Sequence, residues 1–185
     1  VANCRKLYEL RVRLFDISFE QMEQFSHICG QIKKLNLRDC SLSMKAWSAF
    51  LPRCLSLTEL DYCSQTPMSL QSFNCITKYC PNLSSFGFDI DGNAPRNDIV
   101  TAFQQMYLSC KQLTRLTMYN KWSFSDSIYV LIAPYLRNLV TILIWSYMKN
   151  SDVVLKVIAD NCVHLEQLFA HHLVATKLGV IYIAM

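Results

Sequence analysis

Residues 54–62 read Cys54-Leu55-Ser56-Leu57-Thr58-Glu59-Leu60-Asp61-Tyr62. A cysteine leads, an aliphatic residue follows at Leu57, and apolar residues close the phrase at Leu60 and Tyr62. The alternation of the last two is the period of a β-strand with one buried face. The phrase recurs as Cys4-Leu7-Leu10-Val12, Cys29-Ile32-Leu35-Leu37, Cys80-Leu83-Phe86-Phe88, Cys110-Leu113-Leu116-Met118 and Cys162-Leu165-Leu168-Ala170. One further copy has Leu136 in the cysteine slot, with Leu139, Ile142 and Ile144. The lead positions 4, 29, 54, 80, 110, 136 and 162 are separated by 25, 25, 26, 30, 26 and 26 residues. A near-constant period of this length marks an array in which each unit adds the same piece of structure to the last.

A second phrase keeps register with the first. It is an apolar residue, then serine, sometimes then aspartate: Ile17-Ser18, Leu42-Ser43, Met68-Ser69 and Phe124-Ser125-Asp126. Asn97-Asp98 and Ser151-Asp152 fill the slot less regularly. Such residues cap helix N-termini by accepting a bond from a free backbone N–H, and Ser18 with Gln21 has the spacing of a capping box. Apolar residues at helical spacing follow: Met22, Phe25 and Ile28, then Ile99, Phe103 and Met106, then Val154, Val157 and Ile158. Each unit therefore reads as strand, turn, capped helix and return.

Together the two phrases resemble the cysteine-containing leucine-rich repeat, with its C-x-x-L-x-x-L-x-L frame and later I-[ST]-D, from Cys4 to Ala170. The chain departs from that family in its long fourth interval, and the family's second cysteine is clear only at Cys40. The resemblance implies an α/β solenoid of about seven repeats, with parallel strands on a concave face and helices on the convex face. Each unit then buries its apolar set only against its neighbours. The repeat cysteines become small buried hydrophobes, and free thiols of that kind fit a reducing compartment, cytoplasm or nucleus.

The repeats are expected over 1–172. A loop insertion at about 89–97 is marked by the turn formers of Asp89-Ile90-Asp91-Gly92-Asn93-Ala94-Pro95-Arg96. Its alternating acids lack the twelve-residue ligand series of a calcium loop. Residues 173–185, ending Leu178-Gly179-Val180-Ile181-Tyr182-Ile183-Ala184-Met185, read as an apolar tail or partial repeat. Solenoids need polar capping units, so the expectation is a piece of a longer protein, or a tail folded back as a cap.

The totals exclude several classes. Of 185 residues 52% are apolar, ample for a continuous core, and the net charge of +4 is spread along the length. Nucleic-acid binders concentrate more basic charge on one face, so nucleic acid is not an expected partner. No run of about 18 apolar residues suggests a membrane span, and the start is no signal peptide. With four glycines the chain carries no phosphate-binding glycine motif, and it has no G-x-S-x-G elbow. No C-x-x-C suggests zinc. His171-His172 would point to opposite faces of a strand and bind one ion poorly. Neither cofactor nor catalysis is expected.

Repeat register names the side chains on the concave surface. Successive units present Glu9, Arg11 and Arg13; Lys34, Asn36 and Arg38; Glu59, Asp61 and Cys63; Ser85, Gly87 and Asp89; Arg115, Thr117 and Tyr119; Thr141, Leu143 and Trp145; and Gln167, Phe169 and His171. The surface runs from a basic end (Arg11, Arg13, Lys34, Arg38), through acids, to an apolar and aromatic end (Tyr119, Leu143, Trp145, Phe169, His171). Exposed apolar patches imply a partner, and binding hot spots favour Trp, Tyr and Arg. Repeats of this kind resemble those of F-box/leucine-rich-repeat subunits of SCF-type ubiquitin ligases. There the repeats hold a ubiquitination substrate and an F-box docks a Skp1-type adaptor. No F-box-like segment lies in these residues. The alternative is a non-ligase scaffold or assembly subunit.

Overall fold

The computed structural model describes residues 4, 6–13, 20, 25, 28–119, 124–148 and 151–173. Seven strands form one parallel sheet in sequence order: β1 (Glu9–Arg13), β2 (Lys34–Arg38), β3 (Glu59–Cys63), β4 (Ser85–Phe88), β5 (Arg115–Met118), β6 (Thr141–Met148) and β7 (Gln167–Leu173). Between them run α1 (Met44–Phe50), α2 (Leu70–Tyr79), α3 (Arg96–Ser109), α4 (Asp126–Ile132) and α5 (Ser151–Asn161). The register is the repeat frame itself. Leu35 pairs with Leu60, Leu60 with Phe86, Phe86 with Leu116, Leu116 with Ile142, and Ile142 with Leu168. The chain is an α/β leucine-rich-repeat solenoid. The capping box at Ser18 and Gln21, Met22, and the tail from 174 onward lie outside the described residues.

One backbone device recurs at every step. The carbonyl of Tyr8 accepts the N–H groups of Lys33 and Lys34, and that of Lys33 accepts those of Thr58 and Glu59. Thr58, Ser84, Thr114 and Val140 do the same for the next unit each time. Each strand entry is thus pinned by two bonds to one oxygen of its predecessor, which holds the register that the apolar alternation selects.

The lead cysteine has a chemical reason for its place. Cys80, Cys110 and Cys162 end α2, α3 and α5, where their N–H groups bond Ile76, Met106 and Ile158. Each cysteine carbonyl then accepts the N–H three residues on, as in Leu83 to Cys80 and Leu113 to Cys110. The thiol adds a weak second donor to carbonyls of these turns. Cys29 Sγ reaches Phe25 O at 3.0 Å, and Cys110 Sγ reaches Cys80 O at 3.6 Å. A side chain this small fits between stacked turns. Cys29, Cys54, Cys80, Cys110 and Cys162 are all buried, and none of the nine cysteines is in a disulfide.

Helix starts follow the second phrase in part. Ser43 Oγ accepts from Ala46 N at 3.2 Å and Ser69 Oγ from Ser72 N at 3.1 Å. Ser125 occupies the N-cap of α4 without a side-chain cap bond. Behind the sheet, Phe73 of α2 is fully buried and meets Phe86, Phe88 and Phe103 at centroid separations of 5.4, 5.0 and 5.7 Å. Rings from two successive units therefore share one core.

The insertion expected at about 89–97 divides between other elements. Asp89 and Ile90 are buried, and Ile90 forms an isolated parallel bridge with Met68. Arg96 and Asn97 begin α3, the longest helix described at 14 residues. Only the stretch between them is loop. The extra residues mostly lengthen a helix, which starts directly after Pro95. Asp89 also departs from the concave list: the chain turns inward after Phe88, leaving Asp89 at 1% exposure.

Burial sets the proton affinity of the stacked thiols. It pushes Cys110 and Cys162 up to about 11 and Cys80, helped by neighbouring thiols, up to about 12. In the unfolded chain a thiol loses its proton near about pH 8.5. Between those values the folded chain holds more protons, so stability is complete below about pH 8.5 and falls toward pH 11. The urea midpoint should therefore be lower at pH 10 than at pH 7.5, with the loss reduced when Cys110 and Cys162 are replaced by alanine and each variant is referred to its own pH 7.5 value. An equal drop in the variants would remove the thiols as its cause.

Candidate functional site

The concave face is three parallel rows of side chains, one residue per strand. The first row is Glu9, Lys34, Glu59, Ser85, Arg115, Thr141 and Gln167. The second is Arg11, Asn36, Asp61, Gly87, Thr117, Leu143 and Phe169. The third begins Arg13, Arg38 and Cys63, and ends with Tyr119 level with the Trp145–His171 pair. A groove of about 270 Å³ runs across the middle, walled by the first two rows from Glu9 to Arg115 and from Arg11 to Leu143, with Tyr119 at its side.

The four basic candidates lie together at one end, each beside a carboxylate. Arg11 Nε bonds Glu9 Oε1 at 2.7 Å, and Lys34 Nζ bonds Glu59 Oε1 at 2.7 Å. Arg13 Nε bonds Asp39 Oδ2 at 2.8 Å, and Arg38 reaches Asp61 Oδ2 at 3.5 Å. Hydrogen bonding to Glu59 raises the Lys34 ammonium above its ordinary value. Pairs this exposed contribute little to stability. Their consequence is electrostatic: the end is zwitterionic, and a polyanion meets a carboxylate beside each cation.

At the centre, Asp61 leans across Gly87 toward Tyr119. Asn36 Nδ2 donates to Asp61 Oδ2 at 2.7 Å. A Cβ on Gly87 would collide with Asp61 Oδ1 and lie 3.3 Å from Tyr119 Cε2. Gly87 is therefore required for close approach, not for backbone angle. The half-buried Tyr119 phenol is held well above its ordinary value, first by burial and then by the charge of Asp61.

The other end carries the aromatic candidates. Trp145 and His171 stack with centroids 3.8 Å apart and an interplanar angle of 11°. Trp145 is 41% exposed and Phe169 47%. Leu143 and Tyr119 are half-buried beside them. Isolated exposed apolar residues such as Leu55 and Val163 occur elsewhere and need no explanation. Here, however, neighbouring strands place Leu143, Trp145, Phe169 and His171 in one contiguous patch. β6 and β7 run on past it, with a register shift between Trp145 and Met148.

The fold recurs among solved structures. A chain in the crystal structure of the Rad7 and Elc1 complex from yeast superposes with a TM-score of 0.62 at 18% identity. The match covers 84% of this chain but 42% of that one, so the present residues span less than half of its length. At this identity the likeness concerns the fold. No family model matches the sequence, and no curated protein matches it. Among the described residues no group of three potential metal ligands occurs, and no helix is long and apolar enough to cross a membrane.

Two features of the face escape a row-by-row sequence reading. Asp39 follows β2 at φ 53°, a left-handed position that aspartate tolerates, and from there it reaches Arg13. The other pairings were open to inference, since Glu59 and Asp61 stand one period after Lys34 and Asn36. Arg115 stands out only after they are assigned.

Alanine in place of glycine inside a strand ordinarily gains about 0.5–1 kcal/mol. At Gly87 the new methyl must displace Asp61, a charged hydrogen-bonding group whose contacts contribute about 1.5–3 kcal/mol. Gly87→Ala should therefore destabilise the chain by about 1 kcal/mol and lower the Tyr119 titration midpoint read by ultraviolet absorbance. A stabilised variant with unchanged tyrosine titration would show that Asp61 does not occupy this position.

Proposed function

We propose that this chain is a protein-recognition array that acts by binding, without catalysis, through its concave face. In its fuller form the proposal is the substrate-holding repeats of an F-box/leucine-rich-repeat subunit of an SCF-type ubiquitin ligase. One observation carries the binding role: Trp145, Phe169 and His171 stand exposed beside half-buried Leu143 in one contiguous patch on neighbouring strands. Apolar patches of this kind usually mark partner sites. A pre-formed surface spares the partner complex an ordering cost. The paired charges at the far end favour a protein over a nucleic acid, which needs uncompensated cations. The likeness to a chain crystallised with a protein partner, Rad7 with Elc1, agrees with this role. The ligase form rests on the cysteine-repeat resemblance, and it requires an F-box elsewhere in the natural gene product.

Trp145→Ala separates the binding role from a structural one. Affinity capture of the natural gene product from its own cells should lose a partner, with binding weakened by about 2 kcal/mol or more, while the melting temperature stays nearly unchanged. In the ligase form a Skp1-type adaptor remains in both captures, and the lost protein accumulates when the variant is expressed. A stable partner recovered without adaptor would favour the scaffold alternative. Lost stability with unchanged binding would assign the tryptophan to folding.

A further inference from the structure

Arg115 differs from the other concave cations. Arg11, Arg13, Lys34 and Arg38 each hold a carboxylate. Arg115 is exposed at the start of β5, and among the described residues it forms no ion pair. Its row neighbours are Ser85 on β4 and Thr141 on β6, followed by Gln167 on β7. The nearest acid in the row is Glu59, two strands away and bonded to Lys34 at 2.7 Å. The hydroxyls beside Arg115 carry no charge to offset it, and two grooves open against it, one shared with Asp61 and Tyr119 and one lined by Ser84, Thr114 and Thr141, with Glu59, already bonded to Lys34, at the edge of both. It is a cation in a polar recess, and among the described residues no carboxylate forms an ion pair with it.

Its distance from the aromatic patch follows from the sheet. Leu143 is one strand over and two residues along, and Trp145 one strand over and four along. With about 3.3 Å per residue and about 4.8 Å between strands, these lie roughly 8 and 14 Å from Arg115. Side chains two and four residues apart in an extended peptide span about 7 and 14 Å. We infer that the concave face takes an extended peptide segment of its partner that carries an acidic residue for Arg115 and apolar or aromatic residues two and four positions from it, for Leu143 and Trp145. This rests on the concave face being the binding surface, and it adds the chemistry of what is bound.

The probe is a displayed library of random twelve-residue peptides, selected on the immobilised 185-residue chain at 150 mM salt. Enriched peptides should share an acidic residue with apolar or aromatic residues two and four positions to one side. Trp145→Ala and Arg115→Glu should each weaken a synthetic peptide of the enriched sequence at least tenfold, and replacing the peptide's acid by lysine should restore binding to Arg115→Glu. Both variants should melt as the parent does, since both side chains are exposed. Peptides that need Trp145 but neither the acid nor Arg115 would overturn the inference and leave the concave reading standing. No enrichment, or peptides indifferent to both substitutions, would overturn both. Self-association of the chain that Trp145→Ala abolishes, with no peptide enriched, would put a second copy on the patch and overturn the inference as well.

Discussion

The structure depends on a shared backbone oxygen. At each step one carbonyl before a strand accepts two N–H groups from the strand entry of the next unit, from Tyr8 through Val140. Those two bonds hold each strand entry in one register, and the apolar alternation selects it, since a slip of one residue would turn every strand side chain to the opposite face. The consequence reaches outward in both directions. Behind the sheet, Leu35, Leu60, Phe86, Leu116 and Ile142 fall in line and are all buried. In front, alternate residues form rows, and the chemistry of the concave face is the chemistry of those rows.

How much of this was legible in the sequence follows from what repeats. The lead cysteines, the inward leucines and the serine caps at Ser43 and Ser69 recur because each unit solves the same local problem, so the period exposes them. The aromatic end was also legible, since Leu143, Trp145 and Phe169 are named by register alone. The charge balance of the other end was harder. Three of its four pairs join residues separated by roughly a repeat, as Arg13 and Asp39 are by 26, and Asp39 reaches its partner from a left-handed backbone position. The insertion was hardest, because turn-forming residues describe its middle while Ile90 and α3 absorb its ends. The last unit shows why period alone does not fix burial. Leu168 holds the inward slot yet is half-buried, and Ala170 is exposed, since among the described residues no further unit covers them.

The concave face thus divides by how its groups are satisfied. At the β1–β3 end the cations and acids satisfy one another, and a partner gains little by replacing those bonds. At the centre Asp61, Gly87 and Tyr119 interlock and hold the face rigid. At the β5–β7 end an unpaired arginine and an aromatic patch have no counterpart among the described residues. On the proposed reading, recognition energy would concentrate where protein groups still lack partners, toward Arg115, Leu143, Trp145 and Phe169. That gradient is a property of the array as a whole, since no single repeat contains it.

The central claim is that this end of the concave face, and not the helical back, meets another protein. Site-specific photocrosslinking in the natural gene product tests it most directly. A photoreactive residue in place of Phe169 on the concave face should give a discrete protein adduct in cells. The same residue in place of Val130, which is as exposed but lies on α4, should give none. A discrete adduct from position 130 with none from position 169 would contradict the account.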